Sequence, residues 1–154
     1  MTRRPTAHEG FDDEPLTEEL LEALRRSASP EEYLDQVDLP NRDLPGYLFA
    51  LLDASGKSRA AVADECGMGA SYVYQIFAGE RTPTREFLLR IAFCLGCDLR
   101  QAQRLLRLAD EGALWPKRRR DAILIFCLEH GYDLPRADAE LYRLGERTLT
   151  PERG

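Results

Sequence analysis

The chain has 154 residues, 44% of them apolar and 31% charged, the balance of a soluble globular protein of one domain or one small domain with extensions. No apolar run approaches the roughly 20 residues that cross a bilayer, and Met1–Glu14 has no apolar core of a signal peptide, so a cytoplasmic protein with no membrane partner is expected. The net charge of −6 is carried unevenly: residues 1–40 hold 11 acids against 4 bases, residues 41–110 hold 8 against 9, and residues 111–154 hold 8 of each.

Residues 1–15 have little apolar content and read as a disordered tail. Thr17 then starts a helix, a capping-type residue followed by Glu18 and Glu19 where carboxylates suit the helix dipole. Leu20, Leu21 and Leu24 form its apolar stripe. Ser29-Pro30-Glu31-Glu32 starts a second short helix with Tyr33, Leu34 and Val37, so residues 16–40 read as an acidic helical arm. Leu39-Pro40-Asn41 marks a linker.

From Leu44 the pattern is strongly helical. Tyr47–Leu52 is stopped by Ser55-Gly56-Lys57. Ser58 caps a helix to Glu65 with Ala60, Val62 and Ala63 as inward candidates, and Gly67 supplies the turn after it. Further helices are expected over Ala70–Phe77, Arg85–Leu95 and Leu99–Ala109, with Leu88, Ile91, Ala92 and Leu95, then Ala102, Leu105, Leu106 and Leu108, at helical spacing. After Trp115-Pro116, Lys117–His130 and Leu134–Leu144 make a last helical pair, too apolar for a tail and expected to pack on the preceding helix. No segment has strand periodicity. The fold class is all-α, with residues 44–110 as one domain and residues 111–149 as a C-terminal helical extension.

Ser58–Gly79 contains two short helices around a glycine turn, the arrangement of a helix-turn-helix. Val62, Val73 and Ile76 are spaced to be buried, and Ala63, four residues before Gly67, lets the two helices cross closely. Together with Tyr72-Val73, Gln75-Ile76, Gly79-Glu80-Arg81, Pro83-Thr84 and Ile91–Gly96, these residues resemble the Cro/cI-type repressors, or XRE-like regulators, over about 65 residues, in a subgroup with an extra C-terminal helical pair. The resemblance implies a five-helix, phage-repressor-like domain and a transcriptional regulator whose third helix reads double-stranded DNA in the major groove. It places Ala70, Ser71, Tyr74 and Gln75 at base-facing positions, with Gln75 suited to a bidentate contact with adenine. It places Ser58, Arg59 and Arg81 at phosphate-contact positions. A homodimer on a near-palindromic site follows, with the C-terminal helices as the dimerisation element.

Lys117-Arg118-Arg119-Arg120 is the only dense basic run. Lys117 and Arg118 could hold phosphate beside the reading domain, or the run could bind the acidic arm or be a solvated helix start. The expected reading helix carries no Lys or Arg, and its domain is near neutral. A protein-interaction module on the same fold, engaging a protein through the acidic arm or the C-terminal helices, is therefore the alternative, and the arm could also shield the reading face. Cys94-Leu-Gly-Cys97 and Cys127-Leu-Glu-His130 have zinc-like spacing, but the resemblance implies small core positions for Cys66, Cys94 and Cys97, and Cys127 lies in an apolar helix, so no metal and no cofactor is expected. Trp115, alone before a proline, reads as a core plug. No nucleophile elbow, phosphate loop or paired-carboxylate pattern is present, so no enzyme is expected.

Overall fold

A computed structural model describes residues 17–36 and 43–151; the expected tail over residues 1–15 and the linker at Leu39-Pro40-Asn41 lie outside these. The described residues fall into two units, one on each side of Arg42. Every described element is helical.

The first unit holds α1 (Thr17–Arg26) and α2 (Pro30–Gln36). Glu18 and Glu19 lie at the start of α1 and Arg25 and Arg26 at its end, both favourable to the dipole. Ser29 begins α2 by accepting from the Glu32 amide at 3.1 Å, while the Glu32 carboxylate accepts from the Ala28 amide at 2.7 Å. Leu21, Leu24 and Leu34 are exposed.

The second unit runs through α3 (Leu44–Ser55), α4 (Arg59–Cys66), α5 (Ala70–Phe77), α6 (Arg85–Cys94), α7 (Leu99–Leu108), α8 (Arg119–Glu129) and α9 (Leu134–Arg143). Its core is fully buried: Tyr47, Leu48 and Leu51 of α3, Val62 of α4, Val73, Ile76 and Phe77 of α5, Leu88 and Ile91 of α6, and Leu105 of α7. Leu124 of α8 and Leu141 of α9 are equally buried, so the last two helices pack as part of the same unit. Side-chain caps set the helix starts: Asp43, Ser58, Thr84, Asp98 and Asp133 each accept from a first-turn amide.

The hairpins α6–α7 and α8–α9 repeat one another at a single offset, that from Gly96 to Gly131. Both glycines have left-handed backbones, φ 70° and 69°. Asp98 and Asp133 then cap α7 and α9, followed by Leu99 and Leu134, Ala102 and Ala137, and Leu106 and Leu141. The Gln103 side chain accepts from the Leu114 amide at 2.8 Å, and Asp138, its equivalent, accepts from the Leu149 amide at 2.6 Å. Arg85 donates to the carbonyls of Gly112 (2.8 Å) and Ala113 (3.2 Å), while Arg120 donates to those of Arg147 (2.9 Å) and Thr148 (3.3 Å). The copies are tied reciprocally, Arg85 to Asp121 at 3.0 Å and Arg120 to Glu86 at 2.7 Å. The second helix of each hairpin packs on the first of the other, α7 on α8 and α9 on α6. Such mutual pairing is the signature of a pseudo-two-fold relation rather than a simple stack.

Two sequence expectations are corrected. Ala60 is exposed, because the inward face of α4 is set by Val62, Ala63 and Cys66. Trp115 is not a core plug: it is 55% exposed, since Leu114 takes the buried position and the Trp115 amide is held outward by Asp121 at 3.0 Å. Phe126, in the apolar run of α8, is 50% exposed.

Candidate nucleic-acid interface

The turn between α4 and α5 is built by three residues. Gly67 has φ 66° and donates to the Asp64 carbonyl at 3.2 Å, and the Met68 amide closes the turn on Ala63 at 2.9 Å. A side chain at this backbone geometry would be strained, whereas glycine adopts it freely. Met68 turns inward beneath the loop. Gly69 begins α5 without a side-chain cap, so the first amides of α5 have no intrahelical acceptor.

Arg90 locks this turn from below. It lies on α6 and is only 3% exposed, its Nη2 donating to the carbonyl of Cys66 and to that of Gly67 at 3.2 Å. Its guanidinium also stands 5.0 Å from the Phe87 ring centroid. The carbonyls at the end of α4 are left without helical donors, and Arg90 satisfies them with a charge-assisted bond. Helical periodicity alone does not mark Arg90, because it assigns a charged residue to the solvent by default. The available signal was its neighbours: Leu88, Leu89, Ile91, Ala92 and Phe93 leave no polar face for it.

The outward face of α5 presents Ala70, Ser71 and Tyr74, all exposed, with Gln75 half-buried beside them. Val73, Ile76 and Phe77 turn inward. Tyr72, half-buried, packs on Phe87 with centroids 5.1 Å apart while Tyr74 faces out. An arginine stands at each edge. Arg59, first residue of α4, places its guanidinium 4.5 Å from the Tyr74 centroid and 5.8 Å from that of Phe49. Arg81, beyond the end of α5, lies 5.7 Å from the Tyr72 centroid. Ser58 caps α4 by accepting from the Ala61 amide at 3.1 Å, which leaves its hydroxyl proton free to donate.

Ser58, Arg59, Ala70, Ser71, Tyr74, Gln75 and Arg81 are thus gathered around one helix. Lys117 and Arg118 lie elsewhere, exposed on the loop before α8. That loop is joined to the start of α6 by Arg85, which donates to Gly112, Ala113 and Asp121. The basic run therefore divides: Arg119 bonds Glu146 and the Leu144 carbonyl, Arg120 bonds Glu86, and only Lys117 and Arg118 remain unpaired among the described residues.

The four cysteines are buried and lie outside any disulfide. The Cys94 thiol beside it and burial both push the Cys66 thiol up, and burial pushes Cys127 up to about 11, so neither is an activated thiolate at neutral pH. His130 stacks on Phe126 with centroids 3.8 Å apart. No cluster of three or more His, Cys, Asp or Glu that could hold a metal occurs among the described residues, and no described helix is long and apolar enough to cross a membrane.

A family profile described as a helix-turn-helix domain matches residues 19–106, more than half of the chain. No curated protein and no solved structure matches it.

Proposed function

The chain belongs to the helix-turn-helix domain family, and on that premise we propose that it is a sequence-specific DNA-binding transcriptional regulator of the XRE-like kind. One observation carries the reading: the polar, exposed face of α5 is flanked on both edges by arginines stacked on its own tyrosines. A helix enters the major groove with its N-terminal residues at base edges, which assigns Ala70, Ser71, Tyr74 and Gln75 to the bases. Arg59, Arg81 and the Ser58 hydroxyl are assigned to the flanking phosphates, with Lys117 and Arg118 reaching phosphate from the loop between α7 and α8.

A non-catalytic, cytoplasmic homodimer binding paired half-sites one helical turn apart, about 34 Å, fits these assignments. The absence of Lys and Arg from α5 itself means that affinity rests on few phosphate contacts. A salt titration against double-stranded DNA should give a shallow but measurable negative slope of log affinity on log salt. Gln75→Ala should cost about 1–3 kcal/mol on the preferred sequence and relax the preference at one base pair. A zero slope for the unaltered protein would instead favour the protein-interaction module.

A further inference from the structure

We propose that the exposed face of α8 and α9 is the surface on which a second copy of this chain docks, an inference that rests on the homodimer reading above. The internal repeat makes this face conspicuous. Phe126 occupies in α8 the position that Ile91 occupies in α6, and Ile123 matches Leu88. Ile91 and Leu88 are fully buried, because α4 packs on α6 and α3 on α7. Phe126 is half exposed and Ile123 only partly covered. The two hairpins are thus alike in sequence pattern, caps and loop bonds, yet among the described helices of this unit only the first has its face roofed.

That open face is a shallow groove whose floor is Ala122, Ile123, Phe126, Cys127 and Leu144. Its rim carries Glu140 and Arg143, which pair at 2.7 Å, with Arg143 largely exposed. A surface holding one acid and one base beside an apolar floor is complementary to itself across a two-fold axis. Arg143 of each copy can meet Glu140 of the other while each Phe126 enters the opposite groove. Phe126 is held for this by His130 stacked at 3.8 Å and Tyr132 edge-on at 5.9 Å. Tyr132 is itself covered by the Arg136 guanidinium at 3.8 Å. A ring pre-set in this way loses little freedom on being buried.

The test is sedimentation velocity on the full chain without DNA, so that its result is independent of the DNA assignments. The unaltered protein should sediment as a dimer at micromolar concentration. Phe126→Glu should raise the dimer dissociation constant roughly 30-fold or more, as expected for loss of a central aromatic anchor, with its helical circular dichroism unchanged. Arg143→Glu and Glu140→Arg should each weaken self-association, since each creates two like-charge contacts. Mixed in equal amounts, these two variants should recover a dimer, because every contact between them is then opposite in sign. A fold defect within one chain would not be repaired by mixing. A monomeric unaltered protein, a Phe126→Glu dimer of unchanged strength, or a mixture no tighter than its components would overturn the proposal. DNA binding by a persistent monomer would leave the α5 assignment standing while removing this one.

Discussion

Arg90 of α6 donates to the carbonyl of Cys66, the last residue of α4, and so a buried cation fixes the turn that leads into α5. Its Nε has no partner among the described residues, so the side chain is fully desolvated yet not fully satisfied. Breaking such a contact strands the carbonyls it served and opens a cavity. Arg90→Ala should destabilise the protein by about 2–4 kcal/mol, and Arg90→Met by less because it keeps most of the volume. The measurement is the urea midpoint at unchanged m-value.

Arg59 and Tyr74 can be separated experimentally. If Arg59 grips phosphate, Arg59→Ala should weaken binding to all DNA sequences alike and reduce the salt slope by about 0.9. Tyr74→Leu removes the ring beneath the guanidinium but not the charge. It should weaken binding while leaving the slope near its original value, as read in parallel salt titrations.

Glu86 gives the protein a defined acid sensitivity. Burial pushes its carboxyl up, but the guanidiniums of Arg120 and Arg147 outweigh this and hold it below its ordinary value of 4.5. A carboxylate depressed in the folded state contributes stability that is present above its unfolded value and lost as the pH falls through the folded one. Urea midpoints should therefore decline below about pH 4.5. Glu86→Gln should lower the midpoint at pH 7 and make this decline shallower, and an unchanged pH profile would remove Glu86 as its source.

The paired caps offer a test of the internal repeat. Asp98 accepts from the Gln101 amide at 2.8 Å and Asp133 from the Arg136 amide at 3.0 Å. Each Asp→Ala change should cost roughly 0.5–2 kcal/mol. Asp98 should fall at the upper end, because Gln101 also accepts from the Asp98 amide at 2.9 Å, completing a capping box. Thermal denaturation of both variants compares them directly.

Trp115 should be nearly silent for stability. It is exposed, and the loop around it is held by bonds from Gln103, Asp121 and Arg85 that do not involve the indole. Trp115→Ala should stay within about 0.5 kcal/mol, whereas a core plug would cost about 3–5.

The all-α class and nearly every helix end were legible in the sequence because their causes are local. Ser29, Ser58 and Thr84 cap through their own side chains, Gly67 and Gly131 bend through their own backbone freedom, and Val62, Val73 and Ile76 reveal an inward face by spacing alone. Burial at Trp115, Phe126 and Arg90 was not legible in this way. An aromatic side chain favours burial and a guanidinium favours water, but the outcome depends on which neighbours arrive from distant parts of the chain.

The repeat shows the boundary most clearly. Its anchor residues (Gly96 and Gly131, Asp98 and Asp133, Ala102 and Ala137) stand in the sequence, yet periodicity within one helix gives no reason to compare two hairpins. The sequence by itself determined where helices begin, turn and end, since those are set by side chains a few residues apart. Only the tertiary structure decided that Arg85 meets Asp121 while Arg120 meets Glu86, that Arg90 serves the turn before α5, and that, among the described helices, one hairpin is roofed while its twin lies open. Each depends on long-range packing, where the free energy of a side chain is set by what it is brought against rather than by what it is.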